Sequence, residues 1–183
     1  MKIYTVGHSH RTLEQLLALL GEQGIGCVVD VRSQPGSARF PHFNRPALAR
    51  ALEQAGIDYL WEGQALGGRR PRSPEDARHR ALGAGFRSFA THMGTPAFRA
   101  GIDRLLERAR CRRTVLLCTE KDPSRCHRAL IADYLTVRGY DLRHLIDPGV
   151  AKRHGLHPAA WLEGQTLVYH PAPDAADLCA TGS

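Results

Sequence analysis

Short apolar runs that alternate with amphipathic stretches constrain the fold of this chain more than any other feature. Runs suited to buried strands occupy residues 2–6, 27–32, 58–61, 113–118 and 142–146. Helical patterns follow them over residues 13–20, 46–55, 97–109 and 123–137, and another begins near residue 86. Repeated strand-then-helix units imply right-handed crossovers and a mostly parallel sheet. The sequence therefore predicts an α/β fold, a three-layer Rossmann-like or flavodoxin-like sheet with helices on both faces.

The length of 183 residues and a hydrophobic content of 43% fit one domain with one core. We assign residues 1–147 to a single α/β domain and residues 148–183 to a C-terminal extension, with one short strand at residues 165–169 and a disordered last dozen residues. Residues 63–85 are rich in Gly, Pro and Arg, so we expect one long loop there. The apolar runs are too short to span a bilayer and no signal peptide is evident, which predicts a cytoplasmic protein without a membrane partner.

The formal charge of +7 comes mainly from arginine, which suits planar contacts with phosphate or carboxylate groups. An anionic small molecule or a nucleic acid is therefore the expected partner. The alternative is that arginine simply covers solvated faces, because net charge informs about association and not about activity. The five cysteines are odd in number and widely spaced, so we expect reduced thiols instead of a disulfide framework.

The segment from Cys118 to Arg128 is the richest in reactive groups. Asp122 and Pro123 form a good helix start, which would place Cys126 in the first helical turn, where the helix dipole lowers the pKa of a thiol. Cys126 or Cys118 would then act as a nucleophile. The alternative is that both cysteines pack as small hydrophobic residues. A phosphatase-type loop is excluded, because the arginine falls at Arg125, one position late.

Other polar residues follow the remaining strands, and each has a second interpretation. Gly7 to His10 could approach an anion closely or form an ordinary turn. Asp30 and Arg32 could be a buried ion pair, or a site carboxylate beside an anion clamp. The basic residues 67–72 could grip phosphates or stay solvated, and residues 39–44 could stack on a base or cover the core.

A metal ion is a further possibility, because the thiols could converge with histidines as a mixed sulfur and nitrogen set. The candidate ligands are Cys118, Cys126, His127, His8 and His10. No paired Cys-x-x-Cys or His-x-x-x-His spacing supports them. We therefore predict no metal, leave a set of Cys118, Cys126 and His8 as the less favoured reading, and infer no cofactor.

Several motifs together resemble a known family. They are Val6-Gly-His-Ser9, Val29-Asp-Val-Arg32 with Phe43-Asn44, Leu66-Gly-Gly-Arg69, Cys118-Thr-Glu-Lys-Asp-Pro123 and Cys126-His-Arg128. The chain from Ile3 to about Asp147 is similar in these motifs to the bacterial and archaeal family called domain of unknown function 488. The resemblance implies a cytosolic α/β domain with the motif residues on one rim of the sheet, and it implies no particular reaction.

The leading hypothesis is an enzyme, a hydrolase or transferase with a cysteine nucleophile, that acts on a nucleotide or on modified or damaged nucleic acid. The candidate catalytic residues are Cys118, Cys126, His127, His8, Asp30 and Glu120. The candidate anion-binding residues are Ser9, Arg32, Asn44, Gly67, Gly68, Arg69, Lys121 and Arg128. The alternatives are a nucleotide-binding or nucleic-acid-binding module without catalysis, and a thiol redox or metal-linked regulator.

Overall fold

The structure is a computed structural model that describes residues 1–171. The strands are β1 (Lys2–Gly7), β2 (Cys27–Asp30), β3 (Asp58–Trp61), β4 (Thr114–Cys118), β5 (Asp141–Asp147), β6 (Val150–Arg153), β7 (Ala160–Glu163) and β8 (Thr166–Tyr169). The α-helices are α1 (Leu13–Glu22), α2 (Arg45–Gln54), α3 (Gly63–Leu66), α4 (Ala84–His92), α5 (Pro96–Cys111) and α6 (Arg128–Thr136). Short 3-10 helices lie at Pro41–Phe43, Pro74–His79 and Pro123–Arg125.

Six strands form the main sheet in the order β3-β2-β4-β1-β5-β6. The first five are parallel to one another, and β6 returns antiparallel along β5. Helices cover both faces, so the three-layer α/β fold expected from the sequence is confirmed. No helix formed by residues 1–171 is long and apolar enough to cross a membrane.

The two faces of the sheet bury different helices. On one face, α1 and α2 pack Leu16, Leu20 and Leu48 against strand residues such as Val28 and Leu117. On the other face, α4, α5 and α6 bury a larger cluster. Each fully buried leucine of this kind contributes roughly 1.5–3 kcal/mol relative to an exposed one. The direction of each crossover decides its face, because β1→β2→β3 and β3→β4→β5 run in opposite directions across the sheet.

Local sequence accounts for the start of two helices. Thr12 accepts a hydrogen bond from the Gln15 amide at 3.2 Å, and Gln15 Oε1 accepts one from the Thr12 amide at 2.9 Å, a complete capping box at α1. Thr95 caps α5, and Pro96 occupies the first helical position, where its missing N–H is no loss.

Two segments differ from the expectation. Residues 63–85 were expected to form one long loop, but they contain α3 and a 3-10 helix. Helix α3 forms because it packs tightly on α5, where a Cβ at Gly101 would lie 2.6 Å from Ala65 Cβ. The strand expected at residues 165–169 is present as β8, and it pairs with β7 in a hairpin that the sequence did not predict. The disorder expected for the last dozen residues falls on residues 172–183, outside the described part of the chain.

A chain of buried polar groups connects α6 and the sheet to residues beyond 147. Tyr169 donates to Asp133 Oδ2 at 3.0 Å, and His154 Nε2 donates to Asp133 Oδ1 at 2.8 Å. With His154 neutral, its Nδ1 accepts from His144 Nε2 at 2.9 Å, and His144 Nδ1 accepts from Thr5 Oγ1 at 2.7 Å. Burial lowers the pKa of His144 to about 4, so this ring stays neutral at pH 7.

Three buried histidines predict a pH-dependent stability. Burial lowers the pKa of His8, His79 and His144 to about 4. Between about pH 6.5 and about pH 4 the unfolded chain binds these protons and the folded chain does not, so acidification destabilises the fold. The free energy of unfolding, measured by urea denaturation, should fall by about 1.4 kcal/mol per pH unit for each histidine in this range.

Two variants isolate this effect from the titration of carboxylates. His79→Phe should reduce the slope between about pH 6.5 and pH 5 by about one proton, and His10→Asn, a change at an exposed position, should leave it unaltered. Equal slopes in His79→Phe and in the unmodified protein would contradict the assignment.

Candidate functional site

A crevice opens between the carboxyl ends of β2 and β4. These neighbouring strands send their connections to opposite faces of the sheet, α2 to one and α6 to the other, and ligands of open α/β sheets bind at such switch points. The crevice has a volume of about 510 Å³. Its walls are formed by Arg32, Ser33, Gln34, Gly68, Arg69, residues 83–86, residues 118–120 and residues 125–127.

Two cysteines and one histidine lie together at the base of this crevice. Cys118 ends β4, and its Sγ lies 3.8 Å from His127 Nδ1, while Cys126 Sγ lies 3.7 Å from the same atom. His127 Nε2 donates to the Val31 carbonyl oxygen at 3.1 Å. Because this bond occupies Nε2, the ring is oriented with Nδ1 facing both sulfurs. The hypothesis that pairs the cysteines with His127 therefore has the required geometry.

The backbone around Cys126 differs from the sequence expectation. The helix expected from Pro123 begins at Arg128, because Asp122 caps a short 3-10 helix instead, accepting from the Ser124 amide at 2.9 Å. Cys126 is extended, with φ −139° and ψ 139°, and its side chain is buried. Burial of Cys126 in the core prevails over the local helix signal. Cys126 thus precedes α6, and the placement in a first helical turn is wrong.

The two thiols affect each other's ionisation. The neighbouring Cys118 thiol lowers the pKa of Cys126 well below its usual range, and His127 and Arg128 add to this effect against the opposing effect of burial. The Cys126 side chain, together with burial, raises the pKa of Cys118 well above its usual range. Cys126 is therefore the more acidic of the two thiols.

Arg128 supplies a buried positive charge next to this pair. Its side chain is 1% exposed, and Nη2 donates to the Lys121 carbonyl oxygen at 2.9 Å. Nε and Nη1 have no hydrogen-bond partner within residues 1–171, and no carboxylate of that range forms an ion pair with Arg128. A buried cation favours nearby anions, so Arg128 stabilises the Cys126 thiolate. It does not line the crevice.

A second cluster of polar side chains lies at the end of β2, and its members hydrogen-bond to one another and to the nearby backbone. Asp30 is completely buried and accepts from Arg32 Nε at 2.9 Å and from Arg32 Nη2 at 2.6 Å. Tyr59 donates to the same carboxylate at 2.7 Å. The remaining Arg32 nitrogen donates to the Phe43 carbonyl oxygen at 2.9 Å and lies 3.3 Å from His8 Nε2. Asp30 and Arg32 therefore form a buried ion pair, the first of the two arrangements considered for them from the sequence.

His8 belongs to this second cluster and not to the thiols. Its Nδ1 donates to the Ser9 carbonyl oxygen at 3.1 Å, and its ring lies 4.3 Å from the Phe43 ring, measured between centroids. Burial and the neighbouring Arg32 charge lower its pKa to about 4. Both ring nitrogens are occupied, so His8 is a neutral structural group in this arrangement.

Only some of the candidate site residues line the crevice. Cys118, Cys126, His127, Arg32, Gly68, Arg69 and Glu120 line the crevice. His8, Ser9, Asp30, Asn44, Gly67, Lys121 and Arg128 do not. Asn44 accepts from the Ser37 amide and orders the preceding loop, and Lys121 forms an ion pair with Asp147 at 2.7 Å.

Comparison of the sequence with models of protein families identifies the family of the chain. The model described as domain of unknown function DUF488 matches residues 12–135, more than half of the chain. The chain belongs to the DUF488 family. The match includes the thiol pair, His127, Asp30 and Arg32, while His8 precedes it and the polar chain around His154 extends beyond it. No curated protein and no solved structure matches the sequence.

In this DUF488 protein the thiols and His127 also have the spacing of a metal-ligand set. The two sulfurs and Nδ1 lie within 4.8 Å of one another, and no other group of this kind occurs within residues 1–171. The Nε2 bond to a backbone carbonyl is typical of histidines that bind zinc. The histidine next to the two cysteines is His127. The alternative set of Cys118, Cys126 and His8, considered from the sequence, is therefore not the set that the fold brings together.

Several residues that line the crevice were not among those predicted from the sequence. Arg125 and Phe86 line it, as do Ser33 and Gln34. Arg125 appeared only as the residue that broke a phosphatase spacing, although its place next to Cys126 was a usable signal. Phe86 comes from a helix more than 30 residues earlier, and only the fold brings it there.

Gly68 allows the His127 ring to reach its position. A Cβ at residue 68 would lie 2.6 Å from His127 Nδ1, closer than real side chains approach. Gly68→Ala should displace the ring from the sulfurs, raise the pKa of Cys126 and shift the pH dependence of its alkylation rate by iodoacetamide to higher pH. Mass spectrometry of the modified peptide measures the rate.

Gly85→Ala is the matched control, because Gly85 also lines the crevice and a Cβ there meets nothing within 4 Å. It should alkylate at the unmodified rate. A folded Gly68→Ala protein with an unchanged rate would show that His127 does not activate Cys126.

Proposed function

We propose that this DUF488 protein is a cysteine-dependent enzyme in which Cys126 attacks a phosphate-bearing substrate. The observation that carries the proposal is the placement of Cys126 Sγ 3.7 Å from His127 Nδ1, at the base of a crevice at the strand ends. A nucleophile within reach of a base, which a third group orients, is the usual arrangement of covalent catalysis. The third group is the Val31 carbonyl oxygen.

The chemistry follows from these contacts. The Cys126 proton passes to His127 Nδ1, and the sulfur forms a bond to the electrophilic centre while the bond to the leaving group breaks. The leaving group takes the proton from Nδ1. Water or a second substrate then displaces the sulfur, and the proton of the attacking water or second substrate passes to Nδ1. Cys118 and Arg128 stabilise the thiolate before the attack and after the release.

Arginine side chains at the crevice favour an anionic substrate. Arg69 and Arg125 line it, both are exposed, and neither forms an ion pair with a carboxylate of residues 1–171. Guanidinium groups suit phosphate oxygens because they donate in a planar, bidentate way. Arg32, which the sequence suggested for this role, has its donors engaged by Asp30 and Phe43. It acts as a positioning residue that fixes the end of β2.

Selective alkylation of Cys126 tests the proposal. In a Cys111→Ser background, which removes the exposed thiol at residue 111, iodoacetamide should modify Cys126 in preference to Cys27 and Cys118, with an apparent pKa below the usual thiol value of about 8.5. Inorganic phosphate should protect Cys126. Protection should weaken in Arg69→Ala and persist in Arg72→Ala, which removes the same charge from an exposed loop position.

The outcomes separate the proposal from a binding module without catalysis. An unreactive Cys126 combined with intact phosphate binding would favour the binding module and contradict the enzyme. A reactive Cys126 that phosphate does not protect would contradict the substrate class alone. Cys118→Ala should raise the apparent pKa of Cys126, because it removes the neighbouring thiol that lowers this pKa.

The proximity of the two sulfurs, within 4.8 Å, favours a redox role as a second candidate function. Peroxide would oxidise the Cys126 thiolate, and the Cys118 sulfur would then close a disulfide, with two electrons reducing peroxide to water. Mass spectrometry without reductant should detect loss of two hydrogens and a Cys118–Cys126 link. If peroxide leaves both thiols free, or carries Cys126 directly to a sulfinic acid, the redox candidate fails.

A further inference from the structure

A second cavity, of about 890 Å³, adjoins the crevice on the α6 side. Helix α6, the segment before α4, strand β6 and residues 155–158 enclose it. Its walls are largely apolar and include Leu82, Phe86, Ala129, Leu130, Ile146 and Leu156. Both its size and its apolar lining lie within the range of pockets that bind organic ligands.

The two spaces meet at the candidate nucleophile. Cys126 lines both of them, as do Gly83 and Phe86. Cys126 thus lies at the boundary between a crevice with two exposed arginines and a larger, more apolar cavity. A molecule that reacts at Cys126 can therefore place one group in each space.

The cavity is not apolar throughout. Lys152, His154 and His157 line it, and Lys152 forms no ion pair with a carboxylate of residues 1–171. Lys152 and His144 are opposite each other in the β5–β6 pairing, so their side chains lie on the same face of the sheet. Largely apolar walls that also carry charged and hydrogen-bonding groups, among them Lys121, Asp122 and Arg153, match a flat ring that carries hydrogen-bonding atoms at its edge.

We propose that the substrate of the Cys126 site has two parts, an anionic group held in the crevice and an aromatic or heteroaromatic ring held in the second cavity. This inference rests on the proposed function and adds the substrate class to it. Phe86 borders both spaces and supplies an aromatic side chain that such a ring can contact. A phosphate attached to such a ring, directly or through a sugar, fits this description.

Reaction with two methanethiosulfonates tests the inference in the Cys111→Ser protein. The Cys126 thiolate forms a mixed disulfide with either reagent, and methanesulfinate leaves. The benzyl reagent should modify Cys126 about tenfold faster than the methyl reagent, after correction for their rates with glutathione, because burial of the ring in the cavity lowers the barrier. Mass spectrometry of the Cys126 peptide gives both rates.

Ala129→Phe fills the cavity from α6 and should abolish this preference. Ala100→Phe places the same residue at an exposed position of α5 and should retain it. If Ala129→Phe does not fold, Leu156→Asp serves the same purpose, because Leu156 lines the cavity but is 43% exposed and tolerates a charge. Either variant should slow the benzyl reagent far more than the methyl reagent.

The outcomes distinguish the inference from the proposal on which it rests. If neither reagent modifies Cys126, the proposed function fails and the inference fails with it. If both reagents modify Cys126 at equal corrected rates, and filling the cavity changes neither rate, the inference alone is overturned and the cysteine-dependent enzyme stands.

Discussion

The ion pair between Asp30 and Arg32 is the interaction on which the site depends. Both groups are buried, and two charges removed from water are strongly destabilising unless their hydrogen bonds are complete. Here they are complete, because Tyr59 and the Arg32 amide also donate to Asp30, and Phe43 accepts from Arg32. The pair thereby joins β2, β3 and the loop before α2. It also fixes Val31, whose carbonyl oxygen orients His127.

The Asp30 cluster and the thiol cluster have different roles at the carboxyl end of the sheet. The hydrogen-bond donors of Arg32 are engaged within the Asp30 cluster although its side chain borders the crevice, whereas the thiol cluster lies on the opposite side of β2 and β4. Strand geometry explains the division, because successive side chains of a strand face opposite sides of the sheet. Cys118 therefore faces α6 and the crevice, while Asp30 faces the layer formed by α1 and α2.

The sequence predicted the parallel sheet and most element bounds because hydrophobic periodicity and capping are local signals. It also placed Cys118, His127 and Arg69 on one rim, since parallel strands end at the same edge. The sequence did not predict features that depend on tertiary contacts. His8 and His127 are both plausible proton carriers in a sequence, and only the bond of His127 to Val31 and the contact of His8 with Phe43 distinguish them. The start of α6 was misplaced for the same reason.

The short helix α3 and the hairpin of β7 and β8 were missed because their stability comes from packing and not from periodicity. Likewise, nothing local to Gly68 indicates that a histidine almost 60 residues later needs the space of its missing side chain. A glycine in a loop has several ordinary explanations, and the fold selects one of them.

The donors around Asp133 come almost entirely from beyond residue 147. His154, Tyr169 and the His157 amide all donate to this carboxylate, which is 1% exposed. An exposed carboxylate would receive such bonds from water. Residues 154–169 thus replace the hydration shell of one side chain on α6, and a chain without them would need either a solvent-exposed helix face or an apolar residue at this position.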